Sequence, residues 1–212
     1  MTKVYLVRHG QTEWNKKLTF RGRKDIPLNE AGHMEAQAIS DALKNKNIGA
    51  IYTSPLRRSI ETAQPIANYS HLEIVSLQGL IDINYGDWEG LTFNEVKKKY
   101  SDEYNKWEKR PHLIRFPHGE TLDEAKKRSY CAFKNIVKKN PGNSILIVPH
   151  RVINKVLLCA LLGLSTSHFW EIKQDTGCIN LIEYVNNRFI LSLINDTCHL
   201  KKIADGIDQP DF

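Results

Sequence analysis

An arginine and a histidine stand side by side at the end of a short apolar run, Leu6-Val7-Arg8-His9-Gly10. A histidine and an arginine follow another such run, Ile145-Leu146-Ile147-Val148-Pro149-His150-Arg151. A third basic pair, Arg57-Arg58, comes after Ala50-Ile51-Tyr52-Thr53-Ser54-Pro55-Leu56. A neutral imidazole is a nucleophile and a proton carrier near pH 7. A guanidinium is a planar donor fork that fits phosphate or carboxylate oxygens. Together they describe a group that holds an anion while a histidine attacks it. Taken singly, each reads equally well as a solvated surface charge or a satisfied helix end. Brought together without an anion, they would repel one another.

The elements that must carry these residues follow from pattern. Lys3–Val7 reads as a strand, Ala50–Thr53 as a second and Ile74–Leu77 as a third. Ser144–Val148 is all but wholly apolar, as a strand buried on both faces would be. Helices are expected over Leu28–Leu43 with Asn29 as N-cap, from Pro55 to about Asn68 with Pro65 disturbing its last turn, over Asn94–Trp107, Glu120–Lys139 and Val152–Leu162. Cys178–Tyr184 and Arg188–Leu193 form a terminal hairpin around Asn186-Asn187. Strands alternate with helices as far as about residue 165, which predicts an α/β three-layer sandwich with a largely parallel central sheet. In such sheets ligands bind beyond the carboxyl ends of the strands. All three basic pairs lie at those ends, so a parallel sheet would gather them on one rim around an anion.

The 212 residues suit a single domain over 1–200, with a polar tail at 201–212. The longest apolar stretch, Val156–Leu162, is too short to span a membrane, and the first residues lack a secretory pattern, so a cytoplasmic protein is expected. A net charge of +6 comes from scattered lysines without interleaved aromatic residues, which argues for a small anion and against nucleic acid. Cys131, Cys159, Cys178 and Cys198 show no metal-ligand rhythm and are expected to be reduced and mostly buried.

Four stretches, "LVRHGQTEWN", "GRKDIPLNEAG", "SPLRRSIETA" and "YGDWEG", resemble in order and spacing the histidine phosphatase superfamily, with its phosphoglycerate mutase-like fold. Within it the chain resembles the small phosphatases, which include α-ribazole phosphatase and metal-independent phosphoserine phosphatase, and "CALLGLSTSHFW" with "TCHL" especially resembles the phosphoserine phosphatase-like subgroup. The resemblance implies hydrolysis of a small phosphorylated metabolite without metal or cofactor. His9 would be the nucleophile, with Arg8, Asn15, Arg58 and His150 around the phosphoryl group and His150 sharing in catalysis. Gly10 would let the chain turn tightly beside the nucleophile.

The general acid of the family is usually a glutamate at the position that Asp82 occupies here. Aspartate is shorter by about 1.5 Å, so the backbone must come closer or a water must relay the proton. A neighbouring phosphate dianion favours the protonated acid. Glu120 and Glu89 are the reserves. A second departure is Arg151, where the family often has glycine; it would meet a substrate anion or point to solvent. Arg21 and Arg23 are candidates for a second acidic group on the substrate. Phosphoserine and α-ribazole phosphate are the favoured substrates. The alternatives are mutase-type phosphoryl transfer, disfavoured by the compact middle of the chain, and a phospho-ligand-binding protein without turnover. The late apolar segment and terminal strands suggest a homodimer.

Overall fold

The computed structural model describes residues 1–201. β1 (Thr2–Val7), β2 (Ile48–Thr53), β3 (Ile74–Ser76), β4 (Ser144–Val148), β5 (Ile179–Val185) and β6 (Arg188–Asp196) form one sheet in the order β3-β2-β4-β1-β5-β6. The first four run parallel, while β5 joins β1 antiparallel and β6 joins β5 antiparallel. Thr53 lies opposite Val148, and Leu6 opposite Ile147. The chain after β2, β4 and β1 therefore leaves the sheet on one rim, at three neighbouring positions.

The helices are α1 (Glu13–Lys16), α2 (Glu30–Leu43), α3 (Arg57–Ser70), α4 (Phe93–Lys99), α5 (Ser101–Lys109), α6 (Leu122–Lys139) and α7 (Arg151–Leu161). Side chains alternate across a strand, and this alternation builds the two cores. Val4, Leu6, Ile145 and Ile147 pack with Phe133 and Ile136 of α6 and Val156 and Leu157 of α7. Tyr5, Val7, Leu146 and Val148 pack on the other face with Ile39 and Leu43 of α2 and Ala63 and Ile66 of α3. The α/β sandwich expected from the sequence is present, with the terminal hairpin as its antiparallel edge.

Several boundaries differ from expectation. α3 starts at Arg57 rather than Pro55, because Asp25 Oδ1 accepts the Arg57 N–H at 2.7 Å and fixes the first turn from outside; Pro65 lies within a helix that continues to Ser70. The single helix expected over Asn94–Trp107 is broken at Tyr100 (φ −132°, ψ 52°), whose ring packs 6.2 Å from that of Trp88. α6 begins after a Thr121–Glu124 capping box, which leaves Glu120 outside the helix. Cys159 and Cys178 are buried but Cys131 and Cys198 are exposed, so mostly buried thiols is corrected to half. No helix among the described residues is long and apolar enough to cross a membrane. The expected polar tail at 201–212 lies, beyond its first residue, outside the described residues.

Candidate active site

β1 delivers His9 to the rim fully buried. Its Nδ1 lies 2.7 Å from the Gly10 carbonyl, which accepts, so the ring hydrogen sits on Nδ1. Nε2 is left enclosed and without a hydrogen-bond partner, its lone pair available. Burial holds this ring well below the usual imidazole range, Arg58, Arg8 and Arg21 push it further down, and the bond to Gly10 opposes them. The imidazole is therefore neutral at physiological pH. Gly10 itself has no positive φ; its value is close approach, since a Cβ there would stand 2.7 Å from the Gly32 carbonyl in α2. The tight turn expected at Gly10 is thus replaced by close packing of the β1 exit on a helix.

His150, at the end of β4, lies beside His9 with ring centroids 5.2 Å apart. Its Nδ1 accepts from Arg58 Nε at 3.2 Å, and burial followed by Arg58 keeps it neutral as well. Arg58, in the first turn of α3, is fully buried and donates also to the Lys24 carbonyl at 2.8 Å, the Gly22 carbonyl at 2.7 Å and Asp82 Oδ2 at 3.2 Å. Arg8 is 3% exposed and donates to the Gln174 carbonyl at 2.5 Å. Asn15 uses its carbonyl end to accept from Thr12 N and Oγ1 at 2.9 and 2.8 Å, which leaves the amide nitrogen as the end that can donate to an anion.

Asp82 reaches the cluster despite its length. Its Oδ2 is 3.7 Å from His150 Nδ1, and its Oδ1 accepts the Ile83 N–H at 2.9 Å. Its backbone is held by Arg128, which donates to the carbonyls of Gly79, Ile81 and Asp82 at 3.0, 2.7 and 3.0 Å. Glu120 is engaged by Arg128 and Arg23; burial raises it, but these cations outweigh that and hold it below the usual carboxylate range. Glu89 is raised by burial and accepts backbone N–H groups of Arg23 and Tyr85. Neither reserve carboxylate meets a histidine of the site.

The remaining arginines divide. Arg21 is half-buried as a residue, but its Nε is enclosed without a hydrogen-bond partner. Burial, then Arg8, Arg58 and Arg151, push it down to about 9, with Asp82 opposing. Arg151 turns inward rather than to solvent, its Nε enclosed, and its charge acts on Tyr85 and Arg21. Arg23 stays on the outer wall, paired with Glu120 at 3.0 Å, and is not brought into the cup. Four guanidinium groups thus act on one another with Asp82 among them. The site carries an excess of positive charge that a small dianion would largely offset.

Sequence reasoning missed Tyr85, Arg128, Glu35 and Gln174. Tyr85 is buried, and its phenol is pushed up to about 12 by burial, with Asp82 adding and Arg151 and Arg21 opposing. Its place directly before Gly86 in the quoted "YGDWEG" was the one signal available.

The chain from residue 4 to 197 matches the family model described as histidine phosphatase superfamily (branch 1). This protein belongs to the histidine phosphatase superfamily. Phosphoserine phosphatase 1 of Hydrogenobacter thermophilus is 32% identical over 200 residues, covering 94% of this chain and 95% of that one. A 2,3-bisphosphoglycerate-dependent phosphoglycerate mutase of Bartonella tribocorum is 36% identical over 181 residues, covering 82% and 88%. Among solved structures, Bacillus stearothermophilus YhfR superposes with a TM-score of 0.92 at 30% identity, covering 95% of this chain and all of that one. The kinship supports hydrolase action on small phosphorylated metabolites, on a phosphoglycerate mutase-like fold.

Proposed function

We propose that residues 1–200 form one metal- and cofactor-independent phosphatase domain that hydrolyses a small phosphomonoester through phospho-His9. The observation that carries this is the His9 ring: its Nδ1–H is held by Gly10, and its bare, buried Nε2 lies in the field of Arg8, Arg21 and Arg58. In the first step Nε2 attacks phosphorus, the P–O ester bond breaks, and Asp82 gives its proton to the leaving alkoxide. In the second, water attacks phospho-His9 and gives its proton to Asp82. Phosphate leaves, and both groups are restored. Arg8, Arg58, Asn15 and His150 hold the phosphoryl oxygens as charge builds on them.

Arg21 and Arg151, beyond the four phosphoryl ligands, favour a substrate with a second anionic group close to the ester. Phosphoserine has one; the alcohol part of α-ribazole phosphate does not. We therefore favour phosphoserine, with Tyr85 orienting Arg151. Hydrolysis assayed on a metabolite panel with chelator present should be fastest for phosphorylated carboxylic acids, and His9→Ala should lose turnover and the acid-labile phosphoenzyme. Unaltered rates in His9→Ala would reject the mechanism, and phosphate binding without turnover by the native protein would favour a binding protein. The similarity to a mutase keeps phosphoryl transfer between positions of one substrate as the second reading. Interconversion of 2- and 3-phosphoglycerate exceeding their hydrolysis would establish it.

A homodimer is the assembly we infer, through the open edge of β6, where Ile190, Leu193 and Ile194 are 48%, 39% and 46% exposed. Light scattering after size exclusion is expected to return twice the chain mass. A monomer at every concentration tested would reject it.

A further inference from the structure

Against the exit of β1, beside Gly10 and Gln11, lies a second carboxylate that the chemistry above does not use. Glu35 of α2 is 7% exposed. Its Oε2 accepts the Gln11 N–H at 2.7 Å, and its Oε1 accepts from Thr176 Oγ1 at 3.1 Å. It therefore ties together the two segments that wrap the nucleophile. One is the exit of β1 through Gly10, whose added Cβ would stand 3.2 Å from Oε2. The other is the stretch from Gln174 to Cys178 leading into β5, which accepts from Arg8 at the Gln174 carbonyl and donates from Gly177 N to the His9 carbonyl at 3.4 Å. Arg8 acts on Glu35 through its charge.

A neutral amide could satisfy the Gln11 N–H equally well, so the charge calls for a separate account. We propose that Glu35 is a positioning residue of the phosphoryl cup, whose carboxylate fixes the backbone beside His9 and offsets the field of Arg8 from behind, so that phosphate is held and then released. This rests on the phosphatase reading above. Asp82 faces Arg58 and Arg21 within the cup; Glu35 is its counterpart on the Arg8 side, out of reach of substrate. Burial keeps the Glu35 acid above its ordinary range, with Gln11, Thr176 and Arg8 opposing. The fold therefore holds the ionised form less favourably than the unfolded chain does, and this part of the stability is lost as pH rises through the acid's range.

The test is Glu35→Gln in the full chain, read by calorimetric affinity for inorganic phosphate, by kcat and KM on phosphoserine, and by thermal midpoint. Without the opposing charge, phosphate binds about three- to tenfold tighter, kcat and KM fall together as product release slows, and the midpoint holds or rises. Glu35→Asp, which keeps the charge, returns phosphate affinity to within about twofold of native while shortening the reach to Gln11. Should the amide variant not fold, Glu35→Met removes the charge together with the bonds to Gln11 and Thr176, and tighter phosphate binding there still supports the proposal. Phosphate affinity that is unchanged or weaker in the uncharged variants overturns the proposal and leaves Glu35 a structural tie. A native protein that binds phosphate but fails to hydrolyse any ester, with His9→Ala no different, instead overturns the phosphatase reading.

Discussion

Asp82 shows how one side chain can depart from a family pattern and keep its place. Its Oδ2 stands 3.7 Å from His150 Nδ1, and Arg128 grips the backbone around it at the carbonyls of Gly79, Ile81 and Asp82. If Asp82 is the proton donor, Asp82→Asn lowers kcat on an alkyl ester such as phosphoserine by about 100-fold or more. The loss on an aryl ester such as p-nitrophenyl phosphate, whose phenolate leaves without a proton, is far smaller. Equal losses on both would assign Asp82 to holding Arg58 instead. At this scale the sequence was informative wherever a residue's place follows from its strand: Arg8, His9, Arg58 and His150 sit at the ends of elements and meet as expected. It was silent on Glu35 and Tyr85, whose neighbours come from segments remote in the chain. The inward course of Arg151, whose charge acts on Tyr85 more than sixty positions earlier, was likewise beyond any local pattern.

The elements position the site through backbone packed on backbone. α2 lies so close to the β1 exit that a Cβ at Gly32 would stand 2.1 Å from the Gln11 carbonyl. Gly32→Ala must push that loop away, with an expected cost of about 1–3 kcal/mol and a fall in kcat larger than the rise in KM. Urea denaturation with a native midpoint would show that the contact yields more easily than the geometry implies. Capping explains why some helix boundaries were legible and others not. Asn29 caps α2 from its own neighbourhood, accepting the Gly32 N–H at 2.9 Å, and was readable. α3 is started by Asp25 from a distant loop, and the break at Tyr100 coincides with its packing near Trp88; no periodicity around either boundary records these contacts.

Across the whole molecule, the depressed histidines His9 and His150 couple the site to stability, with His199, lowered by burial, acting in the same sense. An unfolded histidine takes up its proton near 6.5, whereas His9 and His150 in the fold do so only well below that value. Below pH 6.5 the unfolded chain then binds more protons than the native one, so stability falls with pH. The thermal midpoint is expected to drop by several degrees between pH 7.5 and 5.5, and less in His9→Asn. Glu35 and Glu89, raised by burial, act in the opposite sense, and the comparison with the variant cancels them. An identical drop in His9→Asn would place the acid sensitivity elsewhere. The sheet's mixed direction has a practical corollary. Because β5 runs against β1, Ile179 pairs with Val7 at the cup while Tyr184 pairs with Thr2, and the left-handed pair Asn186-Asn187 turns at the opposite end, about 20 Å away. That corner is where an affinity handle or a fluorescent reporter could be spliced into the middle of the chain with turnover left intact.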